Sequence, residues 1–178
     1  MHMSDQREIA APVEEVWAAL LSARVLEACV PGAQEVSGSV EEGFDAVVVQ
    51  KVGPVKATFK GHVILSDLVE HQSLRLSGEG KGGAAGFAKG GADVKLSASG
   101  TGGTLLEYEV DAKVGGKLAQ LGNRLIDGFA KKMADQFFGN LQTALEPEPE
   151  PQVQAEEAAP AEEGAKPKGW LKKLTGGQ

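Results

Sequence analysis

The period of apolar and polar side chains changes twice along the chain, and the changes outline its architecture. Between Pro12 and Cys29, the residues Val13, Val16, Trp17, Leu20 and Leu21 recur at helical spacing. Pro12 suits a first helical position, Ser22 can cap a second short helix, and Pro31 with Gly32 stops it. From Ala33 to Val114 the period drops to two. Val55, Ala57, Phe59, Gly61, Val63 and Leu65 alternate with Lys56, Thr58, Lys60, His62, Ile64 and Ser66, which predicts a long half-buried strand. Thr104, Leu106, Tyr108, Val110, Ala112 and Val114 alternate in the same way with Leu105, Glu107, Glu109, Asp111 and Lys113. Shorter alternations surround Phe44, Ala46 and Val48 and Leu74 and Leu76. Turn signals at Gly43, Gly53-Pro54 and Gly102-Gly103 predict hairpins in sequence order.

Beyond Gly115 and Gly116 the helical period returns through Leu118, Leu121, Leu125, Phe129, Met133, Phe137 and Leu141. One helix running to about Leu145 would exceed about 40 Å and span an entire sheet. The pattern therefore predicts an α+β fold: a first strand, two short helices, and a curved antiparallel sheet wrapped around one long C-terminal helix.

The inner positions of this sheet include small residues, notably Ala57, Gly61, Ala88, Gly90, Ala92 and Ala98. Space between sheet and helix would follow, because large side chains would otherwise fill it. Candidate walls for an apolar guest are Phe59, Val63, Leu76, Phe87, Ala92, Val94, Leu106 and Tyr108 from strands, with Leu121, Leu125 and Phe129 from the helix. Tyr108 could offer a hydroxyl to a carbonyl.

Residues with catalytic potential are few. No Gly-x-Ser-x-Gly motif occurs, and Cys29 is the single cysteine, set in an apolar stretch that reads as core. His62 lies on the polar face of its strand and His71 in a turn, without metal-ligand spacing. Glu107 and Glu109 share a strand face with Asp111 and Lys113, which reads as a solvated surface. The cluster from Gly80 to Gly91 lacks the Gly-Lys-Ser/Thr ending of a phosphate loop.

Charge and composition separate the body from a tail. Of the 25 acids and 18 bases, Glu146 to Gly164 holds seven acids and no base, while four lysines lie at 166, 168, 172 and 173. Removing both groups leaves the body near −4, which argues against a nucleic-acid partner. Residues 146–168 hold five of the eight prolines and are expected to be a disordered acidic spacer, reaching roughly 25 Å as a coil and about 70 Å when extended. Residues 169–178 form a basic amphipathic tip: Trp170, Leu171 and Leu174 can share one side of a turn flanked by Lys172 and Lys173. Such a tip suits weak, reversible contact with an anionic membrane, a protein partner being the other expectation. The sequence has no signal-peptide stretch and no run of about 18 apolar residues, so a cytoplasmic chain, soluble or peripheral on the inner face of the cell membrane, is expected.

Several segments together resemble a known family. They are Ala11 to Trp17, Val30 to Gly32, Val52 to Gly61, the glycine-rich Gly78 to Gly91, and Val114 to Gly122. Over about residues 3–145 the chain is similar to the CoxG family, named for a subunit of carbon monoxide dehydrogenase, within the START-like, or SRPBCC, helix-grip superfamily. The resemblance implies a helix-grip ligand-binding domain over residues 1–145. It also implies a non-catalytic accessory protein that recruits a molybdenum hydroxylase of the carbon monoxide dehydrogenase type to the cytoplasmic membrane. No covalent cofactor is implied; a bound quinone such as menaquinone is. The alternative is a soluble START-like carrier or enzyme acting on a hydrophobic small molecule.

Overall fold

A computed structural model describes residues 1–146; the expected spacer beyond Glu146 and the tip at 169–178 lie outside the described residues. Strand β1 (His2–Ile9) leads into helices α1 (Val13–Leu20) and α2 (Ala23–Cys29). Six strands follow: β2 (Ala33–Ser39), β3 (Gly43–Val52), β4 (Val55–Val69), β5 (Ser73–Lys81), β6 (Phe87–Ala98) and β7 (Thr104–Gly115). The chain then forms α3 (Lys117–Gln120) and α4 (Asn123–Leu145). The seven strands make one antiparallel sheet in the order β1-β7-β6-β5-β4-β3-β2, so each strand from β2 to β7 lies beside its sequence neighbour. The first strand closes the far edge against β7, pairing His2 with Asp111 and Ile9 with Thr104.

The turns form where the sequence permits them. Val52 pairs with Val55 across Gly53, whose φ of +59° opens a two-residue hairpin that Pro54 completes. In the middle of the sheet Gly78 pairs with Gly90, and a Cβ at Gly78 would lie 2.5 Å from the His62 carbonyl oxygen. Bare backbone at this point lets the strands coil tightly. The Ser22 hydroxyl accepts from the Val25 amide at 3.4 Å and caps α2 as expected, whereas Pro12 occupies the cap position of α1 rather than its first turn.

The long helix is shorter than its periodicity predicts. At Gly122 the backbone turns to φ +91°, ψ 153°, which separates the one-turn α3 from the 23-residue α4. The latter is about 34 Å long, and no described helix is long and apolar enough to cross a membrane.

Two apolar clusters hold α4 against the sheet. The larger unites Ile9, Val16, Trp17, Cys29, Phe44, Leu74, Leu106 and Leu141, each at most 8% exposed, where α1 and α2 meet the C-terminal part of α4. Buried Thr104 donates its hydroxyl to the Ala11 carbonyl at 2.7 Å, and Asn140 donates to the Cys29 carbonyl at 2.9 Å. The smaller cluster is Val52, Leu118 and Ile126, at the N-terminal end of α4.

Candidate functional site

Between the two clusters the concave face of the sheet and α4 enclose a cavity of about 640 Å³. Its strand walls follow the period of two. Phe44, Ala46, Val48, Gln50 and Val52 come from β3, Ala88, Ala92 and Val94 from β6, and Leu106, Tyr108, Val110, Ala112 and Val114 from β7. Its helical wall follows the period of α4: Ile126, Phe129, Ala130, Met133, Ala134, Phe137 and Phe138. Small residues at 46, 88, 92, 112, 130 and 134 leave the space that Leu or Phe would occupy.

Eight of the eleven residues expected as walls line this cavity: Phe59, Val63, Leu76, Ala92, Val94, Leu106, Tyr108 and Phe129. Phe87, Leu121 and Leu125 do not. Phe87 has the odd parity of β6; its ring covers Gly115, where a Cβ would come within 2.3 Å of Phe87 Cε1, and the residue is 41% exposed. A strict four-residue spacing drifts about 40° per step around a helix of 3.6 residues per turn, so at the start of α4 Ile126 rather than Leu125 points inward. Leu125 is 40% exposed against Gly53, and Leu121 packs at the edge of the smaller cluster.

Only Gln50 and Tyr108 bring polar side chains to the lining. Gln50 is legible as the next even position after Phe44, Ala46 and Val48; its amide donates to the Pro31 carbonyl. Phe138, Ala130 and Ala134 escape the sequence pattern because they flank the narrow stripe of Phe129, Met133 and Phe137 on the broader inward face of α4. Tyr108 is 7% exposed and stacks on Phe138 with centroids 5.2 Å apart. Beside them Arg7 lies 5.4 Å over the Phe138 ring and donates to Asp135 at 2.5 Å. The Asp135 hydrogen bond raises the guanidinium pKa, burial opposes it, and Tyr108 adds a smaller raising contribution. Arg7 Nε is buried without a partner among the described residues. This ion pair ties β1 to α4 at the cavity wall.

The remaining candidate groups lie apart from the cavity. Cys29 is fully buried and burial pushes its thiol pKa up, which suits a core residue. His62 pairs with Asp45 at 2.7 Å on the exposed face, and His71 meets Trp17 edge-on. Glu107 and Glu109 face solvent, as their alternation predicts. One juxtaposition escapes sequence spacing: His2, Glu109 and Asp111 bring three possible ligand atoms within 4.8 Å of one another at an exposed edge. A surface hollow walled by Arg75, Asp93, Glu107 and Glu109 is comparable in volume, at about 590 Å³, but its walls are solvated charges. The interior cavity is the one shaped for an apolar guest.

The fold recurs in solved structures. A conserved protein from Geobacillus kaustophilus superposes with a TM-score of 0.76 at 27% identity, covering 82% of this chain and 95% of that one. A protein from Chromobacterium violaceum gives 0.61 at 18% identity, covering 83% and 98%. A START superfamily protein from Mycobacterium smegmatis gives 0.60 at 14% identity, covering 81% and 96%. No curated protein matches the chain in sequence. The family model for CoxG, a carbon monoxide dehydrogenase subunit, matches residues 6–146, all of the sheet beyond the start of β1 together with every described helix, and the chain belongs to the CoxG family.

Proposed function

We propose that the chain is a non-catalytic accessory protein that carries an apolar, quinone-type guest and brings a molybdenum hydroxylase to the cytoplasmic face of the membrane. The observation that carries this reading is the 640 Å³ cavity, walled by hydrocarbon except at Gln50 and Tyr108. Its volume falls within the range of roughly 300–1,000 Å³ usual for small-molecule sites. An isoprenoid chain would bury its methylenes there at about 0.8 kcal/mol each, and the Tyr108 hydroxyl would meet a quinone carbonyl. Family membership supports an accessory role beside carbon monoxide dehydrogenase. In this reading residues 146–168 are the spacer, and Trp170, Leu171, Lys172, Lys173 and Leu174 make reversible contact with anionic lipid.

Mass spectrometry of an organic-solvent extract of the purified full-length chain tests carriage. An isoprenoid quinone is expected from the parent protein, and Ala92→Phe, which fills the centre of the cavity, should reduce its yield at least fivefold. Recovery of no isoprenoid or lipid from the parent would overturn the guest assignment. Affinity capture of the hydroxylase on the full-length chain tests recruitment separately.

A further inference from the structure

One end of the body is charged in an unusual way. The β3–β4 hairpin, the β5–β6 connection and the segment from the end of β7 to the start of α4 meet there. Gly53 touches Leu125, Gly82 lies against the Phe59 ring, and Gly86 against Gly115 and Gly116. Residues 51–61, 80–92 and 112–126 hold Lys51, Lys56, Lys60, Lys81, Lys89, Lys113, Lys117 and Arg124 and no acid. All eight bases are exposed, and among the described residues only Lys81 has an ion-pair partner, Glu79 at 3.2 Å.

The strand register makes the concentration sharper. Lys51 stands opposite Lys56, Lys60 opposite Lys81, and Lys89 opposite Lys113. Like charges directly across a ladder destabilise it, and three such pairs share this end. Elsewhere on the same sheet cross-strand partners include opposite-sign pairs, Arg75 with Asp93 at 2.9 Å and His62 with Asp45 at 2.7 Å, although Asp93 also stands opposite Glu109, and Lys89 has Glu79 on its other side. At the other end of the sheet Glu8, Glu14, Glu15, Glu41, Glu42, Asp67 and Glu70 occur without any lysine or arginine in residues 8–15, 39–43 or 66–73.

Apolar groups complete the basic end. Phe87 and Leu125 are 41% and 40% exposed among these lysines. Beneath them the cavity is closed by only three buried residues, Val52, Leu118 and Ile126, against fourteen in the cluster at the opposite end. We infer that this rim is a docking face for an anionic bilayer, a membrane contact of the folded body itself that adds to the C-terminal tip. Lysines near the strand ends and at the start of α3 neutralise lipid phosphates while Phe87 and Leu125 enter the headgroup layer. The lightly sealed end of the cavity then faces the lipid. An acidic protein partner would need apolar pockets matched in position to Phe87 and Leu125, whereas a bilayer accepts both without a fitted pocket. The inference rests on charge and register, and neither a quinone guest nor the hydroxylase is needed for it to hold.

The test uses the full-length chain with Trp170→Ala, Leu171→Ala and Leu174→Ala to silence the tip, floated with vesicles. Vesicles of phosphatidylglycerol in phosphatidylethanolamine are compared with vesicles of phosphatidylcholine alone. The tip-silenced chain is expected to bind the anionic vesicles, with binding lost as salt rises from about 0.05 to 0.5 M. Adding Lys56→Gln, Lys89→Gln and Lys113→Gln should weaken that binding at least tenfold without lowering the melting temperature. An independent set, Lys51→Gln, Lys60→Gln and Lys81→Gln, should do the same, and Glu14→Gln with Glu41→Gln should not. No preference for anionic vesicles, or full binding by both rim variants, overturns the inference. Rim variants that lose the hydroxylase but keep the vesicles overturn the lipid assignment in favour of an acidic protein.

Discussion

His2 shows how far a single residue's behaviour can be argued from its neighbours. Its Nδ1 lies 2.9 Å from Asp111 Oδ1, and that hydrogen bond, followed by the charge of the same carboxylate, raises its pKa above 6.5. A raised folded-state value means that the pair favours the fold below pH 6.5 and that this contribution disappears as pH rises through the folded value. NMR titration is expected to place His2 above an ordinary histidine, and Asp111→Asn to bring it down. Equal titration in both proteins would refute the pairing. His2 and Asp111 are 109 positions apart, so no spacing rule could join them. The cavity walls are the contrary case. Tyr108, Leu106, Val63 and Phe59 are legible because parity along a strand is a local property that the pleat enforces. Phe87 obeys that parity against its own apolarity: its odd position turns it outward, so hydrophobic character alone misplaces it among the walls.

At the scale of elements, alternation locates the long strands, and β4 extends the predicted Val55–Ser66 run to Val69. What periodicity does not reveal is the break before α4. Leu118, Leu121 and Leu125 continue a helical spacing across Gly122, but that residue takes φ +91°, ψ 153°, a region open almost solely to glycine. Gly122→Ala would force a Cβ into that conformation at a cost of about 1–3 kcal/mol. Urea unfolding is expected to show that loss, even though no heavy atom lies within 4 Å of the added carbon. An unchanged midpoint would mean that α3 and α4 can join in one helix. Within α4 itself Ile126, Ala130, Met133 and Phe137 turn inward as one stripe, while Leu125 stays outside because a strict four-residue spacing drifts about 40° per step around a helix of 3.6 residues per turn.

At the scale of the folded body, the two ends of the sheet differ in charge: eight bases and no acid occupy 51–61, 80–92 and 112–126 where α4 begins, and seven acids without lysine or arginine occupy 8–15, 39–43 and 66–73 where β1 ends and α1 begins. The N-terminus of α4 adds its partial positive charge to the basic end. Lys113→Glu places an acid opposite Lys89 and should stabilise the fold by about 0.2–1 kcal/mol while weakening attachment to anionic vesicles. Thermal melting and flotation on one variant check both signs, and parallel movement of the two would contradict the argument. The fold class is readable from sequence because each strand from β2 to β7 pairs with its neighbour in the chain. This charge layout is not, since Lys51, Lys89 and Lys113 become one surface only after the strands align.

The three lysine pairs also couple location to conformational stability. A ladder that repels itself in water is relieved when phosphates cover it, so anything that binds the rim must raise the unfolding free energy by the same linkage. The body would then hold together more firmly on a membrane than away from it, and its melting temperature would report where it is.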